Sequence, residues 1–334
     1  MKAYEIQQGA QSLDGLRQVE RPDPSPQAGQ ILVRMHAASV NFRDQAIVTG
    51  RYFSGPVARN TIPLSDGAGE VVGMGPGVTR FKLGDRVSGT FFQGWAGGPP
   101  PGPLVALGSP ADGVLAEYVV FNQNDAVSIP KSLSFEEGAT LACAGVTAWH
   151  AISAVCRVKP GDSVLLLGSG GVSMFALQLA RASGARVIVT SSSDEKIARA
   201  IALGADGGIN YRQNRVSATI QELSGGGVDM AIDSVGEASW GESLRSLRRG
   251  GRLVTCGATT GSNPPADLQR VFIRQLEIYG STGGNITEFR QLLDVFNRGL
   301  VRPVIDSSFA MADVRSALAR LASGAQFGKV SLVA

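Results

Sequence analysis

A glycine-rich turn between an apolar strand and a helix offers the clearest binding chemistry in the sequence. Val164 to Leu167 is a continuous apolar run with the length of a strand buried on both faces, and Gly168, Gly170 and Gly171 follow it. Turn glycines let the backbone approach a pyrophosphate, and the free N–H groups of a helix N-terminus carry a partial positive charge. The turn therefore predicts dinucleotide binding, with Ser173 at the third position of a Gly-x-Gly-x-x-Gly pattern.

The segments around this turn predict a mixed α/β fold. The helix ends near Gly184, a β-branched strand starts at Val187, and strand and helix signals alternate to about residue 283. In the first 130 residues, short strands are punctuated by glycines, which indicates a closed or strongly bent β domain. We expect a Rossmann-type, doubly wound parallel sheet at residues 131–283, inserted into a β-rich domain of residues 1–130 and 284–334. A cofactor held between such domains would lie in a cleft.

The composition excludes several classes of protein. The 334 residues are 43% hydrophobic and 18% charged, and a net charge of +3 is too small to indicate a nucleic-acid partner. Apolar runs are too short to cross a membrane, and the chain opens on a predicted strand, so we expect no signal peptide. Three scattered cysteines favour a reducing cytoplasm over a disulfide scaffold, and any histidine-rich metal site would have only His36 and His150 to use.

Five motifs in order carry a resemblance that covers nearly the whole chain. They are Pro63–Val71, Lys82–Val87, Lys159–Asp162, the glycine turn and Leu203–Asp206. In sequence and spacing they resemble the medium-chain dehydrogenase/reductase superfamily, which implies a GroES-like catalytic domain around a Rossmann domain. Within it the chain is similar to the zinc-free branch of quinone oxidoreductases and enoyl reductases, whose relatives are often labelled alcohol dehydrogenases.

The resemblance implies that catalytic zinc is missing. Zinc-dependent relatives have a Cys ligand where Asn41 stands, and a proton-relaying Ser or Thr where Arg43 stands. Their His-Glu pair corresponds to Ser65-Asp66, and only their third ligand has a counterpart, Cys143. One thiolate cannot make the three-ligand site of catalytic zinc, and three cysteines cannot fill a four-cysteine structural site. We expect no metal, and we interpret Cys143 as a small buried residue rather than a ligand or nucleophile.

Asn41 and Tyr52 match the quinone-reductase pattern Asn-Phe-x-Asp…Tyr, and in that branch both line the nicotinamide and substrate pocket. Asn41 can hydrogen-bond a carboxamide, a ribose hydroxyl or a substrate carbonyl, although it can also be a simple turn residue at a strand end. Tyr52 can donate to a developing oxyanion or only stack. Asp44 is expected to fix the local turn or to pair with Arg43, and Asp66 can have a purely structural role.

The end of the second strand of the Rossmann unit points to the cofactor. NAD-specific proteins of this fold place an acid there, and the alignment on Gly204-Ala205 puts Ser191 at that position. The hydroxyls of Ser191 and Ser192, with Lys196 nearby, suit a 2′-phosphate, which a carboxylate would repel. We interpret Asp194 as the cap of a helix that begins at Glu195, and we predict NADP(H) as the cofactor.

The superfamily resemblance implies further cofactor contacts, most of them through the backbone. They are Asn41, Thr147, Gly168, Gly170, Gly171, Val172, Tyr211, Val235, Gly236, Gly257, Ser281 and Lys329, the last of which would reach the pyrophosphate.

Three functions remain open from the sequence. The first is transfer of hydride from NADPH to an electron-poor C=C or a quinone, which needs no strong acid because solvent can protonate an enolate. The second is a metal-free alcohol dehydrogenase or ketone reductase, for which Tyr52 and Arg43 are the nearest candidate proton donors. The third is an NADPH-binding protein with little catalysis.

The partners follow from the same resemblance. A homodimer is expected, because the last strand of the doubly wound sheet, near Ile278–Gly280, commonly pairs across a two-fold axis in this superfamily. The substrate is a small carbonyl, enone or quinone. The Gly/Pro loop at Gly94–Gly102, which contains Trp95, is either a surface excursion or a lid beside that substrate.

Overall fold

A computed structural model describes all 334 residues and divides them into two compact units. The first contains Met1–Val146, Asn285–Arg298 and Ile305–Ala334, and the second contains Thr147–Gly284 and Gly299–Val304. The first unit thus takes in residues after 130, and the domain boundaries given by the sequence stay a prediction. The mixed α/β fold with a GroES-like β domain and a parallel sheet is confirmed.

The first unit is built on a seven-stranded sheet in the order β16-β17-β3-β4-β5-β9, with β8 paired to β3. Two strand pairs, β1 with β2 and β6 with β7, lie outside it. The strands are β1 (Lys2–Ile6), β2 (Leu16–Glu20), β3 (Gln30–Val40), β4 (Asp66–Met74), β5 (Arg86–Gly89), β6 (Phe92–Gln93), β7 (Val105–Ala106), β8 (Tyr118–Asn122), β9 (Ala126–Ser128), β16 (Ile305–Ala310) and β17 (Lys329–Val333).

The long strand β3 positions one half of the candidate site. Its apolar residues Ile31, Val33 and Met35 alternate with more exposed ones and enter the core of this unit, which explains why the stretch forms a strand with one buried face. Toward its end β3 pairs with β4 on one side and β17 on the other, with Val40 opposite Val330 and Ser39 opposite Asp66. The end of β3 is therefore buried between two neighbouring strands.

Short helices complete the first unit. They are α1 (Phe42–Val48), α2 (Phe135–Gly138), α9 (Ile286–Asn297) and α10 (Val314–Ala322), with 3₁₀ turns at Leu13–Gly15 and Met311–Asp313. The helical pattern after residue 134 is broken into pieces, because π-helical segments at Leu141–Gly145 and His150–Cys156 flank α3 (Val146–Trp149).

The second unit contains a six-stranded, fully parallel sheet. Its strands are β10 (Ser163–Leu166), β11 (Arg186–Ser191), β12 (Gly207–Asn210), β13 (Val228–Asp233), β14 (Leu247–Thr255) and β15 (Glu277–Gly280), in the order β12-β11-β10-β13-β14-β15. The chain runs outward from β10 in one direction and then from β13 in the other. Ligands of such sheets bind at the carboxyl ends of the strands where this reversal occurs.

Five helices connect these strands, as crossovers between parallel strands require. They are α4 (Gly171–Ala182), α5 (Asp194–Ala202), α6 (Val216–Ser224), α7 (Glu237–Ser246) and α8 (Leu268–Arg274). Strand β10 is buried on both faces, and Ala176 and Ala180 on α4 have no exposed surface, so small side chains bring this helix close to the sheet. The predicted strands and helices of this unit are all present, with ends that differ by a few residues.

The seating of α5 on β12 gives a test of this packing, because two adjacent glycines differ in the space around them. A Cβ on Gly208 would lie 2.2 Å from Ile197 Cγ2, whereas one on Gly207 would meet only Ile188 Cγ1 at 4.0 Å. We expect Gly208→Ala to destabilise the protein by about 1–3 kcal/mol through overpacking. The matched Gly207→Ala should stay within roughly 0.5 kcal/mol of wild type in chemical denaturation. Equal midpoints for the two variants would contradict the described contact.

Candidate functional site

Asn41 stands where β3 ends and α1 begins. Its backbone N–H donates to Asp44 Oδ2 at 2.8 Å, and the Asp44 N–H donates to the Asn41 carbonyl oxygen at 3.0 Å. This reciprocal arrangement satisfies groups that a helix start would otherwise leave unpaired. Asp44 therefore fixes the local turn, as the sequence predicted, and it also lies 3.4 Å from Arg43 Nη1.

Asp44 is a fully buried carboxyl with an altered acidity. Burial raises its pKa to about 6, and the neighbouring Asp66 carboxylate adds to the effect. The Arg43 guanidinium, the Asn41 N–H and Lys329 act in the opposite direction, but burial has the larger effect. Near pH 6 this carboxyl is thus populated in both of its protonation states.

Arg43 links Tyr52 to a loop of the first unit. Its Nη1 donates to the Leu107 carbonyl oxygen at 2.9 Å and its Nη2 to that of Ser109 at 3.2 Å. The same guanidinium lies 5.4 Å from the centre of the Tyr52 ring and 4.8 Å from that of Phe91, within the range of cation–π attraction. Tyr52 is partly exposed, so its ring can form a wall beside a ligand.

Lys329 is one of the most buried charged groups in the protein, with 3% of its side chain exposed. Its Nζ donates to the Val40 carbonyl oxygen at 3.1 Å and to Asn41 Oδ1 at 2.5 Å, and it lies 3.9 Å from Asp66 Oδ2. The sequence placed Lys329 at the pyrophosphate of a cofactor. That role stays a prediction, and the structure places its ammonium at the end of β3.

Asp66 holds this cluster together from the first residue of β4. It is fully buried, its Oδ1 accepts from Ser65 Oγ at 2.7 Å, and its Oδ2 accepts from the Cys143 N–H at 3.1 Å. Buried carboxylates need such partners, because an unpaired one costs several kcal/mol. Asp66 therefore has at least a structural role, which was one of the two alternatives left open by the sequence.

The donor set in this cluster does not fit zinc. Asn41, Asp66 and Cys143 come together, but a lysine ammonium is bonded to one of them, and no group of three His, Cys, Asp or Glu residues could hold a metal. Cys143, interpreted from the sequence as a small buried residue, is half-buried. Desolvation and the Asp66 charge still raise the pKa of its thiol far above the usual value, so it stays protonated.

In the second unit, the glycine turn has the shape that phosphate binding requires. Gly168 has a φ of +80°, and its N–H donates to Thr190 Oγ1 at 3.0 Å. A Cβ added to Gly168 or Gly170 would meet no protein atom within 4 Å, so open space lies over the turn. Gly170 caps α4 and Gly171 is its first residue, which leaves the first N–H groups of the helix beside that space.

The end of β11 differs from the prediction in one residue. The helix α5 begins at Asp194, and its cap is Ser193, whose Oγ accepts from the Lys196 N–H at 3.4 Å; the prediction that Asp194 is the cap was wrong. A hydroxyl at the preceding position already serves the helix, so the Asp194 carboxylate instead accepts from Asn210 Nδ2 at 2.8 Å and Gln213 Nε2 at 3.2 Å. Ser191 is buried, and its Oγ accepts from the Ser193 N–H at 3.3 Å.

A buried carboxylate that the sequence reasoning missed orders the loop after β13. Asp233 Oδ1 accepts from the N–H groups of Val235 at 2.8 Å and Gly236 at 3.0 Å. The hydroxyls of Ser239 and Ser243 donate to the same carboxylate at 2.6–2.8 Å. The signal available in the sequence was an acid at the end of an apolar strand, followed closely by glycine. Asp233 thereby sets the backbone at two predicted cofactor contacts.

The other predicted contacts of this unit have varied surroundings. Gly257 can only be glycine without movement, because a Cβ would lie 2.7 Å from the Ser234 carbonyl oxygen. The Ser281 N–H donates to the Thr255 carbonyl oxygen, while its Oγ is buried without a partner. Thr147 is buried, and Val172 lies in the first turn of α4. Ser192 and Lys196 are partly exposed, whereas the Tyr211 side chain is exposed. An orphaned hydroxyl and open space above glycines fit a dinucleotide.

Comparison with known families agrees with this architecture. Residues 27–131 match the family described as an alcohol dehydrogenase GroES-like domain, and residues 171–298 match the one described as a zinc-binding dehydrogenase. A zinc-type alcohol dehydrogenase-like protein of Schizosaccharomyces pombe is 38% identical over 91% of this chain and 90% of its own length. A quinone oxidoreductase of Rattus norvegicus is 31% identical over 86% of this chain and 84% of its own.

Solved structures agree as well. An NAD-dependent alcohol dehydrogenase superimposes with a TM-score of 0.93 and 31% identity, and all of both chains is covered. A mycobacterial protein in complex with NADPH superimposes with a TM-score of 0.84 and 29% identity, again over all of both chains. The chain belongs to the medium-chain dehydrogenase/reductase superfamily. It is an oxidoreductase of the type that includes alcohol dehydrogenases and quinone oxidoreductases, and none of its helices is long and apolar enough to cross a membrane.

Asp44 gives a prediction for the pH dependence of stability. Its pKa is raised to about 6 in the folded protein, so the folded state holds this proton more tightly than the unfolded chain does. The resulting stabilisation is complete below about pH 4 and is lost as the pH rises to about 6, and it amounts to at most about 3 kcal/mol. Asp44→Asn, which keeps an acceptor for the Asn41 N–H, removes this dependence.

The difference in unfolding free energy between wild type and Asp44→Asn should therefore change between pH 4 and pH 7. Wild type should become less stable relative to Asp44→Asn as the pH rises. Denaturant titrations of both proteins at several pH values measure it. A difference that is constant over this range would contradict the raised pKa.

Proposed function

We propose that this protein is an NADPH-dependent, zinc-independent oxidoreductase that transfers hydride to an activated C=C bond or a quinone. The observation that carries the proposal is the buried cluster around Asn41. There an amide and a lysine ammonium occupy the place where a metal-dependent relative needs ligands. Such a cluster can donate hydrogen bonds to an oxygen that gains negative charge, and it cannot act as a Lewis acid through zinc.

The residues of the second unit fit NADP(H). Gly168, Gly170, Gly171 and Val172 would hold the pyrophosphate, since open space lies over Gly168 and Gly170, and Gly171 and Val172 present the first N–H groups of α4. Contacts along the rest of the cofactor are assigned to Thr147, Val235, Gly257 and Ser281. When bound, the nicotinamide supplies the hydride.

The 2′-phosphate is assigned to Ser191, Ser192, Lys196 and Tyr211. The buried Ser191 ends β11 where an NAD-specific protein would have an acid, and Lys196 lies in the first turn of α5, three residues after Ser193. Asp194, the carboxylate nearest to them in sequence, is engaged by two amides, which reduces its repulsion of a phosphate. The structural relatives include both an NAD-dependent enzyme and an NADPH complex, so the preference rests on these residues.

The chemistry asked of the first unit is modest. Asn41 donates a hydrogen bond to the substrate oxygen that becomes an enolate or phenolate, and Tyr52 donates a second one or stacks on the substrate. Solvent protonates the α-carbon of the enolate or the oxygen of the phenolate, so no buried general acid is required. Arg43 keeps Tyr52 and the segment from Leu107 to Ser109 in fixed relation, and this segment would exclude water from one side of the substrate.

A second candidate is a metal-free, NADP-dependent alcohol dehydrogenase or ketone reductase, favoured by the names of several relatives. An alkoxide is a much stronger base than an enolate and needs a proton donor in the site. Tyr52 and Arg43 are the nearest candidates, but the two Nη groups of Arg43 are bonded to two carbonyl oxygens and an aspartate, and its Nε is buried without a partner. Because these bonds hold the Nη groups of Arg43 away from a substrate alkoxide, the first candidate is the better one.

We further propose that the protein is a homodimer of the cytoplasm. Strand β15 is an edge of the six-stranded sheet, and its Ile278 and Tyr279 are each 39% exposed. On the preceding α8, Leu268, Phe272 and Ile273 are exposed as well. An apolar edge of this kind fits pairing with a second copy of the same strand. All three cysteines are free, as a reducing compartment favours.

The substrate class is tested by NADPH consumption with purified protein after treatment with a chelator. We expect turnover with members of a panel of enones, acyl-CoA enones and quinones, and Asn41→Ala to lower kcat by about 100-fold, as loss of an oxyanion donor does. Turnover confined to simple alcohols and ketones would support the second candidate. Tight NADPH binding without turnover of any compound would instead support a non-catalytic protein.

The cofactor preference is tested at Ser191. We expect Ser191→Asp to weaken NADPH binding at least about tenfold, because a carboxylate beside the 2′-phosphate repels it, and to favour NADH. Ser191→Ala is the matched control, since it removes the hydroxyl without adding charge. Fluorescence titrations with both cofactors give the dissociation constants. Unchanged NADPH affinity in Ser191→Asp would contradict the assignment of this pocket.

A further inference from the structure

The ammonium of Lys329 is buried at a cost that only its partners can offset. A buried ammonium without partners would be expelled or neutralised, since its desolvation penalty is several kcal/mol. Two of its three N–H groups are used, by the Val40 carbonyl oxygen and by Asn41 Oδ1, and the third faces the Asp66 carboxylate across 3.9 Å. The lysine is thus hydrogen-bonded to the last residue of β3 and to the residue after it, and it forms an ion pair with the first residue of β4.

This arrangement decides which way the Asn41 amide faces. An ammonium is only a donor, so the amide atom 2.5 Å from it must be the oxygen. The Asn41 backbone is held independently, by Asp44. Its Nδ2 group therefore points away from Lys329, and it is buried with no hydrogen-bond partner in the protein. A buried donor without a partner calls for an explanation, and a ligand acceptor that bonds to it would supply one.

We propose that Lys329 is a positioning residue, which fixes Asn41 as a hydrogen-bond donor to the carbonyl or quinone oxygen of the substrate. The inference rests on the proposed function for the identity of that oxygen. A cation bonded to the amide oxygen draws electrons from the nitrogen and strengthens the N–H as a donor, which helps most as the substrate oxygen gains negative charge. Because Nδ2 is covered in the structure, a ligand reaches it only when a neighbouring group moves aside.

The alternative role, given by the family resemblance, is a direct contact between Lys329 and the cofactor pyrophosphate. The two roles predict opposite effects. If Asn41 donates to the substrate and not to the cofactor, a lysine that acts through Asn41 affects kcat and leaves cofactor affinity unchanged, whereas a pyrophosphate contact affects cofactor affinity first. The comparison needs a variant without the ammonium but with similar bulk, and Lys329→Met provides it.

The first experiment is a double-mutant cycle of Lys329→Met and Asn41→Ala, with kcat and the NADPH dissociation constant measured for each protein. We expect Lys329→Met to lower kcat by about 10- to 100-fold and to change NADPH affinity less than about twofold. In the Asn41→Ala background it should lower kcat no further. The inference would be overturned if the decreases in kcat of the two single variants multiplied in the double variant. It would also be overturned if Lys329→Met lost NADPH affinity but retained its kcat.

Ser331→Ala is the matched control for disturbance of the strand. Ser331 lies two residues along β17 on the same face as Lys329, but its hydroxyl donates to Glu136 instead of Asn41. This variant should keep the kcat of wild type. A kcat lowered as far as in Lys329→Met would assign the effect to β17 as a whole and would overturn the inference.

Chemical rescue distinguishes a missing cation from a damaged fold. Lys329→Ala removes three carbons and the ammonium, which n-propylammonium matches in size, and this amine should raise kcat in a saturable way, at least about fivefold. The same amine should do nothing for the Lys329→Ala, Asn41→Ala double variant. Rescue of both proteins, or of neither, would overturn the inference.

Binding of 4-nitrophenol tests the site without turnover, since its yellow phenolate reports stabilisation of an oxyanion. We expect wild type to bind the phenolate, and Lys329→Met and Asn41→Ala to weaken it equally, by about tenfold. If no enone or quinone is reduced, the proposed function fails, and this spectrum still decides the role of Lys329. No phenolate binding by wild type, or unequal losses in the two variants, would overturn that role.

Discussion

A buried carboxylate that must be compensated is the constraint around which the first unit is arranged. Asp66 has no exposed surface, and its oxygens are used by Ser65 and by the Cys143 N–H, with the Lys329 ammonium nearby. Ser65 directly precedes β4, Cys143 lies in a π-helical segment and Lys329 begins β17, and these segments are far apart in the sequence. Satisfying one charge therefore brings three distant segments together. The end of β3, with Asn41, is fixed among them.

The second unit solves a comparable problem with Asp233. Its carboxylate accepts from two backbone N–H groups and two serine hydroxyls, and it thereby shapes the turn between β13 and α7. Both acids are fully buried. Asp66 is the first residue of β4, and Asp233 is the last residue of β13. In each unit, the hydrogen bonds of a buried carboxylate hold the neighbouring segments in one conformation. A binding site that is ordered in this way before its ligand binds loses less entropy on binding.

The fold could be predicted because its signals are local and periodic. The run at Val164–Leu167, the glycine turn after it and the repeated strand and helix signals need no tertiary information, and their order leads directly to a doubly wound sheet. The turn glycines and the buried end of β3 were predictable for the same reason. Residue types at these positions are dictated by backbone conformation and by alternating burial.

The interior of the site could not be predicted, because its contacts join residues that are far apart in the chain. Lys329 and Asn41 are 288 positions apart, and a lysine is normally expected at the surface, so nothing local indicated that it would be buried. The prediction of the capping residue of α5 was wrong for a different reason. Ser193 and Asp194 are both good capping residues, and the choice depended on Asn210 and Gln213, which draw the aspartate away.

The contacts of Arg43 have a consequence for how this site can diverge. The guanidinium binds the main-chain oxygens of Leu107 and Ser109, not their side chains. Mutations at Ser109 can therefore change the side chain at this position while the hydrogen bond from Arg43 remains, because the main-chain carbonyl group is the same in every amino acid. New substrate preferences could accumulate on this segment without dislodging Tyr52, so that the active site is able to evolve its selectivity and its chemistry separately.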